Sequence, residues 1–182
     1  MQRRKFLLGI MVGTALLGPL GAREPGGYGE GKQDGKDIGL VFEQLKKLAG
    51  DWQLAAPPDE ASKGKVALRY RLTAGGSAVV ETIFPGEEME MVSVYYRDGD
   101  QLVLTHYCCA GNQPRMRAKI GDTKDEVIFE FAGGSNLNPA KDVHVHDGRI
   151  RFLDADHLHT EWEHYADGKA AGKYVFDLVR KK

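Results

Sequence analysis

Two periodicities divide the chain. Ile38, Val41, Phe42, Leu45 and Leu48 recur at helical spacing, with Glu43, Gln44, Lys46 and Lys47 on the opposite side and Gly50 as a stop signal. Beyond that helix the period drops to two. In "KVALRYRLT", Val66, Leu68, Tyr70 and Leu72 share one face and Arg69, Arg71 and Thr73 the other. Strand-like runs follow at 77–84, 89–97, 101–109, 114–120, 126–132, 149–153, 157–165 and 173–180, and the short "DWQLA" precedes them. Gly75-Gly76, Asp98-Gly99, Gly111-Asn112, the 154–156 acidic cluster and Asp167-Gly168 are turn signals between most of these runs. No crossover helices intervene. The pattern predicts an all-β fold, an up-and-down antiparallel barrel of about ten strands with one short N-terminal helix, and a two-sheet sandwich is its structural rival.

The segment ahead of the helix has a different composition. Arg3, Arg4 and Lys5 precede an apolar run at 6–20, and Gly21 and Ala22 then offer a cleavage point, so residues 1–22 have the layout of an export signal. Gly9, Gly13, Gly18 and Pro19 interrupt the run, which makes it a poor spanning helix. "RRKFLL" resembles the twin-arginine signal, with Gln2 where that motif usually has Ser or Thr, and an ordinary secretory signal is the alternative route. Residues 23–37, rich in glycine and charge, read as a flexible linker, and the folded domain is expected over 38–182. The mature protein is expected in the periplasm or secreted, with no stable membrane span. Without residues 1–22 the chain has 22 Lys and Arg against 26 Asp and Glu, a formal charge of −4. That balance argues against a nucleic-acid partner, because phosphate binding needs a basic face. Cys108 and Cys109 are the two cysteines. A bridge between adjacent residues closes a strained ring, and neighbours on a strand point to opposite faces, so two thiols are expected.

A helix running into "LAGDW", a meander, and a last strand closed by a basic residue resemble the lipocalin and fatty-acid-binding superfamily, the calycin-type barrels. More narrowly, "AGGSAVVETIFPG", "THYCCAGNQPRM" and "DADHLHTEW" are similar to a group of uncharacterised exported bacterial lipocalin-like proteins, over about residues 45–180. The resemblance implies the fold and the location and brings no established activity. Haem-binding barrels of the nitrobindin type share the general architecture, but their haem-binding His aligns with no single His of this chain.

A barrel of this size can enclose one small ligand lined by alternate residues. In "QLVLTHYCC", Leu102, Leu104, His106 and Cys108 form one face and Val103, Thr105, Tyr107 and Cys109 the other, and the leucines favour the first as the inward one. His106 and Cys108 would then lie about 7 Å apart along the strand, able to share a metal but awkward for direct proton transfer. "GNQPR" is a polar turn whose Asn112, Gln113 and Arg115 could orient a ligand at the rim or simply satisfy their own turn. His144 and His146 form a His-x-His pair suited to zinc or copper, whereas Leu158 and Trp162 mark an inward face with Thr160 and His164, leaving His157, His159 and Glu161 outside. Glu81 is expected to face solvent; if inward, it would need Arg115 or a ligand as partner. The resulting expectation is an exported barrel that binds an apolar or amphipathic small molecule, without a resident cofactor. Tyr70, Phe129, Phe131 and Trp162 would line it, and His106, Cys108, Asn112, Gln113 and Arg115 would form its polar end. A metal- or haem-dependent enzyme using His106 with Cys108, or His144 with His146, is the rival from another class, and an envelope interaction module with a filled core is a third.

Overall fold

The apolar stripe at the start of the domain forms α1 (Gly35–Lys47), with Asp37 in its first turn and Lys46 and Lys47 in its last, matching the helix dipole. The computed structural model describes residues 35–182. The export signal expected at 1–22 lies outside the described residues, as does the expected linker except for the end that enters α1. Ile38, Val41, Phe42 and Leu45 are buried, so the face that the spacing selects is the face that packs.

Ten strands follow: β1 (Gly50–Leu54), β2 (Leu68–Thr73), β3 (Ala78–Ile83), β4 (Met91–Asp98), β5 (Gln101–Tyr107), β6 (Gln113–Ile120), β7 (Glu126–Ser135), β8 (His144–Phe152), β9 (His157–Ala166) and β10 (Lys169–Arg180). Each pairs antiparallel with its sequence neighbour, and β1 also pairs with β10, so the sheet closes on itself as an up-and-down barrel. A sandwich would leave those two strands as edges. The fold is consistent with the calycin type. Beginning at β1, strands leave the helix end and return to it alternately. The opposite end therefore collects the loops at 55–67, 84–90, 108–112 and 136–143 and the 167–168 turn.

Arg180, the basic residue that ends β10, holds the helix end together. Its Nη1 and Nη2 donate to the carbonyls of Ala49 (2.9 Å) and Lys47 (3.0 Å), and its Nε donates to that of Ala155 (3.0 Å). The guanidinium lies over the Trp52 ring at 4.4 Å, while the indole N–H donates to the Leu48 carbonyl at 2.8 Å. The carbonyls a helix C-terminus leaves unpaired are thus met by the first and last strands. Gly50 makes room for this: its φ is +130°, and a Cβ there would stand 3.1 Å from Nη1 of Arg180.

The helix-side half of the interior is packed. Trp52, Tyr70, Tyr95, Leu104, Met116, Phe129, Ile150 and Leu178 are at most 2% exposed and belong to one core with the buried face of α1. The strand runs anticipate most of the barrel, with β8 the main difference. It begins at His144 rather than 149, because a bulge between Val145 and Asp147 breaks the alternation that would reveal its first half.

Replacing Arg180 with Ala removes three hydrogen bonds and the cover over Trp52, and should cost about 2–4 kcal/mol. Arg69→Ala, which breaks a largely exposed pair with Asp51 (2.6 Å), should stay within about 1 kcal/mol. Urea unfolding midpoints compare the two; equal shifts would contradict the bracing role of Arg180.

Candidate functional site

Barrel register aligns one polar residue from each of four adjacent strands. Tyr70 on β2 faces Glu81 on β3, which faces Ser93 on β4, which faces His106 on β5. All four are buried and point inward. The Glu81 carboxylate accepts from the Tyr70 hydroxyl at Oε1 (2.7 Å) and from the Tyr95 hydroxyl at Oε2 (2.8 Å). Burial raises its pKa, and the hydroxyls of Tyr70, Tyr95 and Ser93 oppose that rise by favouring the charged form. Glu81 therefore corrects the expectation of a solvent-facing residue. Val79 and Val80 point to opposite faces yet are 0% and 7% exposed, so hydrophobicity marks neither face of β3. The partner is also not Arg115, which is exposed on β6.

Above this row the barrel is open. A cavity of about 440 Å³ occupies the half away from α1, walled by Leu68, Ile83, Phe84, Met91, Trp162 and Phe176, with the half-exposed Met89 and Tyr174 at its mouth. Two glycines let rings lie against the wall. A Cβ on Gly148, opposite Trp162, would sit 2.1 Å from the indole Cζ3; one on Gly172 would sit 2.7 Å from the His164 Cε1. Trp162 stacks on Phe129 at 6.1 Å, and Phe129 meets Tyr95 edge-on at 5.6 Å, so an aromatic stack runs from the cavity wall into the packed core.

Three histidines reach the cavity, each with one buried ring nitrogen that lacks a partner: Nε2 of His106, Nε2 of His144 and Nδ1 of His164. His106 has its Nδ1 3.0 Å from the Ser93 hydroxyl, and burial pushes its pKa down to about 4, so the ring is neutral near pH 7. His144 has its Nδ1 2.8 Å from the Asp142 carbonyl. A carbonyl only accepts, so that nitrogen carries a proton, and in the neutral ring Nε2 is a bare lone pair.

Of the residues expected to bind a ligand or a metal, His106, Cys108, Trp162 and His144 meet at the cavity, where Glu81, Cys109 and His164 join them. The inward face of β5 is the one the leucines favoured, with Leu102 and Leu104 fully buried and Tyr107 half exposed. Cys108 and Cys109 are both free thiols at the mouth, and burial raises the Cys108 pKa. The rest go elsewhere. Asn112 is buried, but its Nδ2 donates to the Val143 carbonyl (2.8 Å), tying the 108–112 turn to the 136–143 loop. Gln113 donates to the Gly111 carbonyl (3.2 Å) within its own turn, and Arg115 faces outward opposite Thr105. The polar end is thus made of histidines rather than an amide-and-arginine rim. Tyr70 and Phe129 lie in the packing beneath the cavity instead of on its surface. Phe131 is drawn into a stack with His146 (4.5 Å), which stacks in turn on Tyr165 (3.8 Å). His146 also has its Nδ1 3.0 Å from Asp147. The rings of His144 and His146 remain 5.4 Å apart across the bulge that follows Val145, but only His144 reaches the cavity, and no group of three or more His, Cys, Asp or Glu among the described residues is placed to hold a metal ion.

Fold and site together define a closed ten-strand antiparallel barrel, consistent with a calycin-like fold, with a half-open, mostly apolar interior and a polar floor. Compared with known families and with curated proteins, the chain matches no family model and none of those proteins.

His106 sets a pH dependence whose sign follows from its depressed pKa. The unfolded ring binds a proton near pH 6.5 and the folded one only near 4, so this residue's contribution to stability is present above 6.5 and is lost as pH falls through that window. The loss amounts to roughly 3 kcal/mol. Glu81 has the opposite sign: its folded pKa lies above 4.5, so its contribution is present below 4.5 and declines as pH rises through the raised value. Denaturant titrations across pH 4 to 8 should therefore show His106→Gln flattening the acid limb, while Glu81→Gln gains on the parent as pH rises. Parallel profiles for parent and variants would contradict these assignments.

Proposed function

We propose that this chain is an exported, lipocalin-like binding protein whose barrel holds a small apolar or amphipathic molecule. The observation that carries this reading is the cavity, about 440 Å³ of mostly apolar surface ending on buried polar groups that lack partners. That size and chemistry suit a small-molecule site, in which apolar walls supply affinity and a few fixed polar groups supply orientation. Export is supported by the charged, apolar and small-residue order of 1–22, and the lipocalin-like relation by "LAGDW" together with Arg180, which the fold brings into contact around Trp52. The zinc reading of His144 and His146 gains no third ligand among the described residues.

N-Phenyl-1-naphthylamine, an uncharged fluorescent probe, tests the cavity. Its emission should rise saturably and stoichiometrically on mixing with the purified chain, with energy transfer from Trp162 that falls when Trp162 is replaced by Phe. Ile83→Trp, which places a large ring in the cavity, should weaken binding by about tenfold or more. No saturable signal from the unmodified chain would overturn the binding reading. Separately, N-terminal sequencing of protein recovered from the periplasm or medium should begin near Arg23; an intact N-terminus at Met1 in the cytoplasm would overturn the export reading.

A further inference from the structure

Resting on that ligand-binding reading, we infer that the cavity is selective for an uncharged molecule whose apolar body presents hydrogen-bond donors, hydroxyl or N–H, to the bare Nε2 atoms of His106 and His144.

The tautomers decide the polarity of the site. His144 is fixed by the Asp142 carbonyl, which obliges Nδ1 to be the donor and leaves Nε2 an acceptor. For His106 the assignment follows from its neighbours in the row. The Glu81 carboxylate receives tyrosine hydroxyls on both oxygens, and the Ser93 hydroxyl faces the same carboxylate. A Ser93 hydroxyl turned to Glu81, which it opposes across the β3–β4 register, presents a lone pair to Nδ1 of His106, and in that arrangement Nδ1 is the donor across their 3.0 Å contact. Nε2 of His106 is the remaining lone pair, buried and without a partner. Both histidines are at most 4% exposed and both line the cavity.

The charge inventory excludes the other common amphipathic headgroups. Among the described residues that line the cavity there is no Lys or Arg, so a carboxylate would enter an apolar chamber against two acceptors with no counter-charge. An ammonium fares little better: Glu81 is the one carboxylate on the wall, and each of its oxygens is already taken by a tyrosine. A neutral donor avoids both penalties and relieves the desolvated nitrogens, whereas an ether or alkane of the same size leaves them bare.

The test displaces N-phenyl-1-naphthylamine from the unmodified chain at neutral pH with 1-octanol, octyl methyl ether, octanoate and octylamine. Octanol should compete at about tenfold lower concentration than the ether, which keeps an oxygen but has no donor, and than either charged analogue. His144→Leu or His106→Leu should narrow the octanol-to-ether ratio toward unity. An ether equal to octanol, or tighter binding of octanoate or octylamine, overturns this inference while leaving the cavity a binding site. Failure of the naphthylamine itself to bind removes the binding reading and this inference with it.

Discussion

Closure of the sheet through the pairing of β1 with β10 is the constraint on which the rest depends. Both strands are held at the helix end by Arg180, whose guanidinium covers Trp52 of β1 and ties the carbonyls that end α1 to the last residue of β10. In a closed antiparallel barrel each strand's register is fixed by two neighbours, and a slip of one residue would exchange inside for outside along a whole strand. Ten strands thus share one consistent set of inward residues.

The inward set is not uniform, and its division gives the molecule two halves. Toward α1, large aromatic and aliphatic side chains fill the space. Toward the loops the wall carries flatter groups: Trp162 lies over Gly148 and His164 over Gly172, where a Cβ would have pushed each ring into the chamber. Between the halves runs the row Tyr70, Glu81, Ser93, His106. A buried carboxylate bonded by two tyrosines contributes less to stability than an apolar side chain would, yet it imposes fixed directions on its neighbours. Here Ser93 stands in register between that carboxylate and the imidazole facing the cavity.

The sequence made the elements legible and the site only partly so. Period-two alternation over "KVALRYRLT" and "QLVLTHYCC", with glycine-containing turns between runs, was enough for the barrel, because every strand has one face that must be apolar. Leu102 and Leu104 correctly orient His106, and Leu158 and Trp162 do the same for His164. Glu81 was hidden because the valines on both faces of β3 are buried. Ser93 gave no signal at all: it matters only as the residue opposite both Glu81 and His106, a fact of register rather than of sequence. Arg115 and Asn112 were drawn toward the rim by their place in a turn, yet one faces solvent and the other braces a loop through its Nδ2, since chain proximity does not tell which side of the wall a residue occupies. His144 and His146 keep their rings 5.4 Å apart across a bulge, yet only His144 reaches the cavity, which their spacing could not reveal.

Xenon-pressurised crystals give the most direct test of the half-open barrel, because xenon enters dry apolar cavities and not packed cores. Xenon density should fill the chamber between Trp162 and Phe176 and stop above Glu81, with none among Trp52, Tyr95 and Phe129. A chamber found collapsed, with Met89 and Met91 packed onto Trp162 and no xenon, would contradict the account.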